Sequence, residues 1–338
     1  MAKTSWATGL QVSRWAQELF YEAGKEIYFD KMMGDGPDSL IQVKHELDGV
    51  PGKDITFGLV TNLNGAGVSG DNTLEGNEET LNSHSQTVST SMVRNAIRSN
   101  GKFQESKALF DFRLEAMSLL KTWLAETIDS AIFTSLSSSP TRNLRADNGG
   151  DAISARTNQS TFKSNLAAAD VISLDDISAL KKLAKIPAGS TEMRMRPVRI
   201  DGNEYYVLIV HPEVAYDLRK LSSYVQIQRE AQVRGDSNPL FTGAIGVYDG
   251  VIIHEHENIE TFDDGGGAAV HGHPNLFLGA QAGLFARVGT PMWIEKTFDY
   301  GNQLGISGGL IYGTGKSLFN SEDYSTIAYY TASTDFTP

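Results

Sequence analysis

Leu109, Phe112, Ala116, Leu120, Trp123, Thr127 and Ala131 recur with the three-then-four spacing that lines one face of a helix. They predict a single helix from Lys107 to about Leu136, with Leu109, Phe112, Leu120 and Trp123 as its core side chains. At 1.5 Å per residue such a helix spans roughly 45 Å, far beyond the globular mean of about 11 or 12 residues. Lys107, Asp111, Arg113, Glu115, Lys121, Glu126 and Asp129 interrupt its apolarity, which excludes a membrane span. Their mixed signs form no nucleic-acid stripe.

Upstream, Val12, Trp15, Ala16, Leu19, Phe20, Ala23 and Ile27 make a second helical face, predicting an amphipathic helix from Val12 to about Lys31. Gly34, Gly36 and Pro37 end it. Trp15 and Phe20 are its largest apolar residues, and a helix this close to a terminus needs a surface to lie on, its own domain or a neighbouring subunit. Two segments rich in Thr, Val and Ile follow, Asp54 to Leu63 and Ser85 to Ile97, each predicted as a strand. The polar stretch between them is too long for an ordinary connection. It predicts an extended hairpin whose tip carries Asp71, Glu75, Glu78 and Glu79.

Beyond the long helix, Ser, Asn, Gly and Pro mark a loop and a boundary near Ser139. Ser173 and Asp176 resemble a capping box, so Ile177, Leu180 and Leu183 predict a short helix stopping at Pro187. Glu204 to Val210 reads as a buried strand, and Pro212 opens another helix directly after it. Asp249 and Gly250 predict a turn feeding Val251 to Ile253, followed by a glycine-rich loop at Asp263 to Gly267. Strands are expected at Leu276 to Leu278, Met292 to Phe298 and Ser325 to Thr331. Helices and strands without a βαβ rhythm place the chain in the α+β class.

The 338 residues, 40% hydrophobic, suffice for a substantial core. With 41 acidic against 29 basic residues the net charge is -12, which argues against tight nucleic-acid binding. Cysteine is absent, so disulfides, thiolate metal sites and cysteine nucleophiles are excluded. The first residues, MAKTSWATGLQVSRW, lack the unbroken apolar core of a signal segment, and assembly or function in a cytoplasm is expected.

Three motifs invite chemistry. Gly65, Gly67 and Gly70 spell the dinucleotide-binding pattern, yet an acidic stretch follows where a helix must begin, so no cofactor is expected. Gly313, Gly315, Lys316 and Ser317 resemble the end of a phosphate loop, but Leu310 stands where that loop requires glycine. His254 with His256, and His271 with His273, have the spacing that puts two rings on one strand face, with Glu255, Glu257, Asp263 or Asp264 as oxygen ligands. His254 and His256 are the weak metal candidates, since His271 and His273 read as loop residues; the expected assignment is no metal and no catalytic residue. A metal-dependent enzyme using the paired histidines is the alternative of a different class.

Four phrases carry a more specific signal: Glu204 to Arg219 (EYYVLIVHPEVAYDLR), Ser237 to Ile259, Asn275 to Gly289 (NLFLGAQAGLFARVG) and Trp293 to Asn320. In this order they resemble the major capsid proteins of tailed bacteriophages, in the branch of the large podoviruses, with the Hong Kong 97-type fold. The resemblance implies an N-terminal arm (1–51), an E-loop hairpin (52–100), the spine helix of a peripheral domain (101–138), an axial domain (139–289) and a return to the peripheral domain (290–338). It implies self-assembly as pentamers and hexamers into an icosahedral head around double-stranded DNA, formed in the host cytoplasm. Its partners would be other copies of the chain, a portal, scaffold or decoration proteins, and DNA only weakly. On this reading Asp71, Glu75, Glu78, Glu79, Trp15 and Phe20 are intersubunit candidates, and Asp111, Glu115 and Glu126 are solvated or intersubunit charges. A bacterial nanocompartment shell is the alternative within the same fold.

Overall fold

The long helix runs Phe112–Ser137, 26 residues, in a computed structural model that describes residues 26–45, 54–60, 67–78, 83–107, 111–148, 150–158, 160–186, 194–200, 202–230, 244–265 and 270–334. It starts later than its pattern predicts because Asp111 caps it, accepting the Arg113 amide at 2.9 Å, while Lys102–Glu105 forms a separate short turn. Leu109 lies outside the described residues. Leu120 is buried, Phe112 and Trp123 partly so.

The buried face turns around the helix. Ala116, Met117 and Leu120 pack against Trp293 and Ile306, whereas the second half buries Leu124, Ile128, Ile132, Phe133 and Leu136. The expected stripe through Trp123, Thr127 and Ala131 is therefore the shoulder of the core. Two partners explain the turn: a five-stranded sheet meets the helix along its length, and an eight-stranded sheet encloses its second half. A side chain such as Leu124 buried there contributes about 1.5 to 3 kcal/mol.

The five-stranded sheet has the order Met33–Gly34, Ile41–Lys44, Gly283–Phe298, Gln303–Lys316, Ser91–Arg98. The 14-residue strand Gln303–Lys316 escapes a sequence reading because glycines at 305, 308, 309, 313 and 315 make it look like loop. They permit close approach: a Cβ on Gly313 would stand 2.4 Å from the Ser89 carbonyl oxygen. Lys316 of the phosphate-loop look-alike is buried in an ion pair with Asp323 at 2.6 Å.

The eight-stranded sheet places Asn143–Arg145, Thr326–Ala332, Val270–Leu278, Asn203–Val210, Val251–Glu255 and Ala244–Tyr248 side by side, with Phe262–Gly265 and Val198–Ile200 attached. Both faces of Asn203–Val210 are covered from Tyr206 to Val210, which is why YVLIV is continuously apolar. Val207 and Ile209 face the long helix. Tyr206, Leu208 and Val210 face the helices Leu174–Lys185 and Pro212–Lys220. Ser173 caps the first of these as its pattern predicts, accepting the Asp176 amide at 3.1 Å. Asp249 and Gly250, both with positive φ, form the tight turn between Ala244–Tyr248 and Val251–Glu255.

Four expectations change. The segment Ser85 to Ile97 is two strands: Ser83–Ser89 pairs with Asp54–Val60 in the hairpin, and Ser91–Arg98 joins the five-stranded sheet. The boundary at 289/290 falls inside the single strand Gly283–Phe298, and the last strand, Thr326–Ala332, is a buried central member of the eight-stranded sheet. Asp263 to Gly265 belongs to a strand and not to a loop. Tyr28–Met32 is a 3-10 turn instead of the end of a long helix, since Ile27 is extended; the rest of that helix, to residue 25, lies outside the described residues.

Candidate assembly surfaces and a histidine–glutamate cluster

The hairpin is anchored at its base and open at its tip. Ile55, Phe57 and Val88 alternate inward onto Leu284 and Ala286 of the five-stranded sheet, and Leu59 meets Phe319 and Tyr324. Asp71, Glu75 and Glu78 at the tip are exposed, together with Leu74. The tip is shaped by its own turns: the Glu78 carboxylate accepts the Gly76 amide at 2.8 Å, and Asn77 donates its side-chain amide to the Thr73 carbonyl at 2.9 Å. Glu79, Trp15 and Phe20 lie outside the described residues.

The five-stranded sheet offers a surface of the opposite sign. Its register sets Arg98 beside Gly305 and Lys296, and Arg94 beside Gly309 and Met292. Trp293, Val93 and Ile97 point to the long helix, so by alternation Arg94, Arg98, Ile294 and Lys296 share the outer face. All four are exposed. The Phe298 ring lies over Gly305, with the Arg98 guanidinium 4.2 Å and the Lys296 ammonium 5.1 Å from its centroid. Among the described residues none of the three cations forms an ion pair. Asp111, Glu115 and Glu126 on the helix are exposed as well, and Arg113 pairs with Glu295 at 2.6 Å.

The histidines divide differently from their sequence spacing. His254 is buried and His256 packs against Tyr28 and Phe133, with centroids 4.3 and 4.6 Å away. Burial lowers the His256 pKa, the behaviour of a core aromatic. Among the described residues no group of three metal-ligating side chains includes this pair.

His271 and His273 lie on the strand Val270–Leu278 and do share a face. Both present Nε2 to one oxygen, Glu213 Oε2, at 2.8 and 2.9 Å, and Ser333 donates its hydroxyl to the same atom at 3.1 Å. His211, the cap of the helix Pro212–Lys220, stacks on His273 with centroids 3.8 Å apart. Burial and then the neighbouring His273 push His211 down to about 4. Burial alone would raise Glu213, but hydrogen bonds from His273, His271 and Ser333 outweigh it, and its pKa is lowered. The period-two histidines were legible in the sequence; Glu213, 60 residues from His273, was not.

Comparison with known proteins adds to this geometry. The family described as phage capsid protein matches residues 3–335. The major capsid protein of Pseudomonas phage KPP25 is 31% identical, covering 96% of each chain. The capsid of Ralstonia phage GP4 superposes with a TM-score of 0.78 at 25% identity, covering 92% of each chain. The cyanophage Pam1 capsid subunit gives 0.75 at 21% identity, covering 98% of this chain and 99% of its own. The fold is thus the Hong Kong 97-type α+β capsid fold, and its role is structural, not enzymatic. The chain belongs to the phage capsid protein family and is a major capsid protein, a virion component that assembles with copies of itself into icosahedral shells.

Proposed function

We propose that the subunit forms pentamers and hexamers of a tailed-phage head around double-stranded DNA, and that the acidic hairpin tip of one subunit lies on the basic outer sheet face of its neighbour. The observation that carries this reading is the opposition of charge: Asp71, Glu75 and Glu78 exposed on an anchored hairpin, against Arg94, Arg98 and Lys296 exposed without an ion pair among the described residues. In such an arrangement electrostatics set register and partner choice more than raw affinity. Many modest contacts, closed by symmetry, then hold the shell.

On this reading the long helix and five-stranded sheet form the peripheral domain, the eight-stranded sheet with its two helices forms the axial domain, and residues 1–51 form the arm, whose strands Met33–Gly34 and Ile41–Lys44 dock on the edge of the five-stranded sheet. Trp15, Phe20 and Glu79 take part in intersubunit contacts. A net charge of -12 keeps wall and DNA weakly associated. A portal, together with scaffold or decoration proteins, completes the head, and assembly takes place in the host cytoplasm.

Charge reversal tests the contact. Glu75→Lys with Glu78→Lys is expected to leave a folded subunit that assembles poorly, and adding Arg94→Glu with Arg98→Glu should restore shells. Normal assembly of the first double variant, or no rescue by the second, would overturn the pairing.

A further inference from the structure

We infer that His211, Glu213 and His273 form a binding site for a divalent transition metal of the zinc class, with His271 holding the ligating carboxylate by a hydrogen bond. One donor atom from each of the first three side chains lies within 4.8 Å of the others. His211 Nδ1 stands 4.0 Å from Glu213 Oε2, and the two other rings stand 2.8 and 2.9 Å from it. Zinc bonds of about 2.0 to 2.2 Å place tetrahedral ligand atoms about 3.3 Å apart, so the ion would enter on movements of roughly 1 Å in which His211 Nδ1 exchanges its long 3.4 Å cap bond from the Glu213 amide for the metal. The donor set, imidazole nitrogen and one carboxylate, suits zinc, cobalt or nickel better than magnesium or calcium.

The outer contacts point the same way. His273 Nδ1 lies 3.3 Å from the Glu260 carbonyl oxygen, and outside the ligand set His271 Nδ1 lies 2.6 Å from Asp263 Oδ1. A ligating histidine holds its second nitrogen on a carboxylate or carbonyl in this way, which fixes the ring and turns Nε2 toward the metal. His273 is fully buried and His271 and Glu213 are mostly so, which gives the site a rigid floor.

The site also has a mechanical consequence. Its ligands come from the start of Pro212–Lys220 and from Val270–Leu278, and Ser333 beyond the last strand reaches the same carboxylate. An ion there would tie three separate segments together at one end of the eight-stranded sheet.

Titration of the full-length chain with zinc chloride alone, followed by competition with a chromophoric chelator, tests this. One equivalent is expected to bind at micromolar or tighter affinity, raise the melting temperature, and on cobalt substitution give visible d–d absorption. Glu213→Gln keeps the volume and one acceptor; it should weaken binding by about 10- to 100-fold or more and abolish the thermal shift, as should His211→Gln. His84→Gln, on the hairpin, should change neither. Circular dichroism establishes that each variant is folded, and cobalt absorption of the wild-type chain gives a readout that does not depend on any variant. Absence of that absorption, or zinc binding unchanged in folded Glu213→Gln, would overturn the site.

Discussion

Asp129 Oδ2, in the second half of the long helix, accepts the backbone amide of Tyr28 at 2.8 Å across 101 residues of sequence. Its other oxygen takes the Phe29 amide at 3.4 Å. A buried carboxylate thus fastens the segment entering the described fold to the helix, and Phe29 packs beneath it with Phe133 at 4.8 Å.

That contact predicts a pH dependence. Burial raises Asp129 to about 6, against the lowering effect of the two amides. The folded pKa lies above the unfolded value of about 3.9, so the proton stabilises the fold. This contribution is complete below about pH 4 and lost as pH rises through 6. Urea unfolding of the subunit should show the native protein gaining on the order of 2 to 3 kcal/mol relative to Asp129→Asn between pH 7 and pH 4. A difference that stays flat with pH would contradict the assignment.

Lys316 makes a second prediction. Its ammonium sits 2.6 Å from Asp323 Oδ1 and donates to the carbonyls of Ser138 and Ser139 at 2.6 and 3.2 Å, at the end of the long helix. Lys316→Met leaves Asp323 buried without its cation and should cost about 3 to 5 kcal/mol in urea unfolding. A loss below about 1 kcal/mol would mean that the amides of Thr141 and Arg142, which also reach Asp323, suffice.

Neighbouring leucines on the helix separate folding from surface. Leu120 is 1% exposed and Leu119 is 54% exposed. Leu120→Asp should abolish the soluble fold, because an unpaired buried charge costs several kcal/mol out of a total of about 5 to 15. Leu119→Asp should leave subunit stability within about 0.5 kcal/mol. Equal protease resistance of the two variants would refute the helix orientation.

Much of the fold was legible because one pattern dominated each segment. The long helix, the capped helix after Ser173 and the turn at Asp249 were each carried by local signals that tertiary context did not override. The face of the long helix was read only halfway, since a periodicity cannot show that a second sheet encloses Leu124 to Leu136. Gln303–Lys316 is illegible as a strand because its glycines serve close strand approach, which looks like loop composition. The spacing of His271 and His273 marks them as a pair but carries no strand signal, because Gly272 and Pro274 beside them read as loop. Their partner Glu213 comes from a helix start 58 residues away, and no spacing rule reaches that far.

The direct measurement is cryo-electron microscopy of particles assembled from the full-length chain, beside the same chain lacking residues 64–84. The account predicts closed icosahedral shells from the full chain, with residues 67–78 of one subunit against Arg94, Arg98 and Lys296 of the next, and folded but unassembled subunits from the deletion. Small discrete oligomers from the full chain, or intact shells from the deletion, would contradict it.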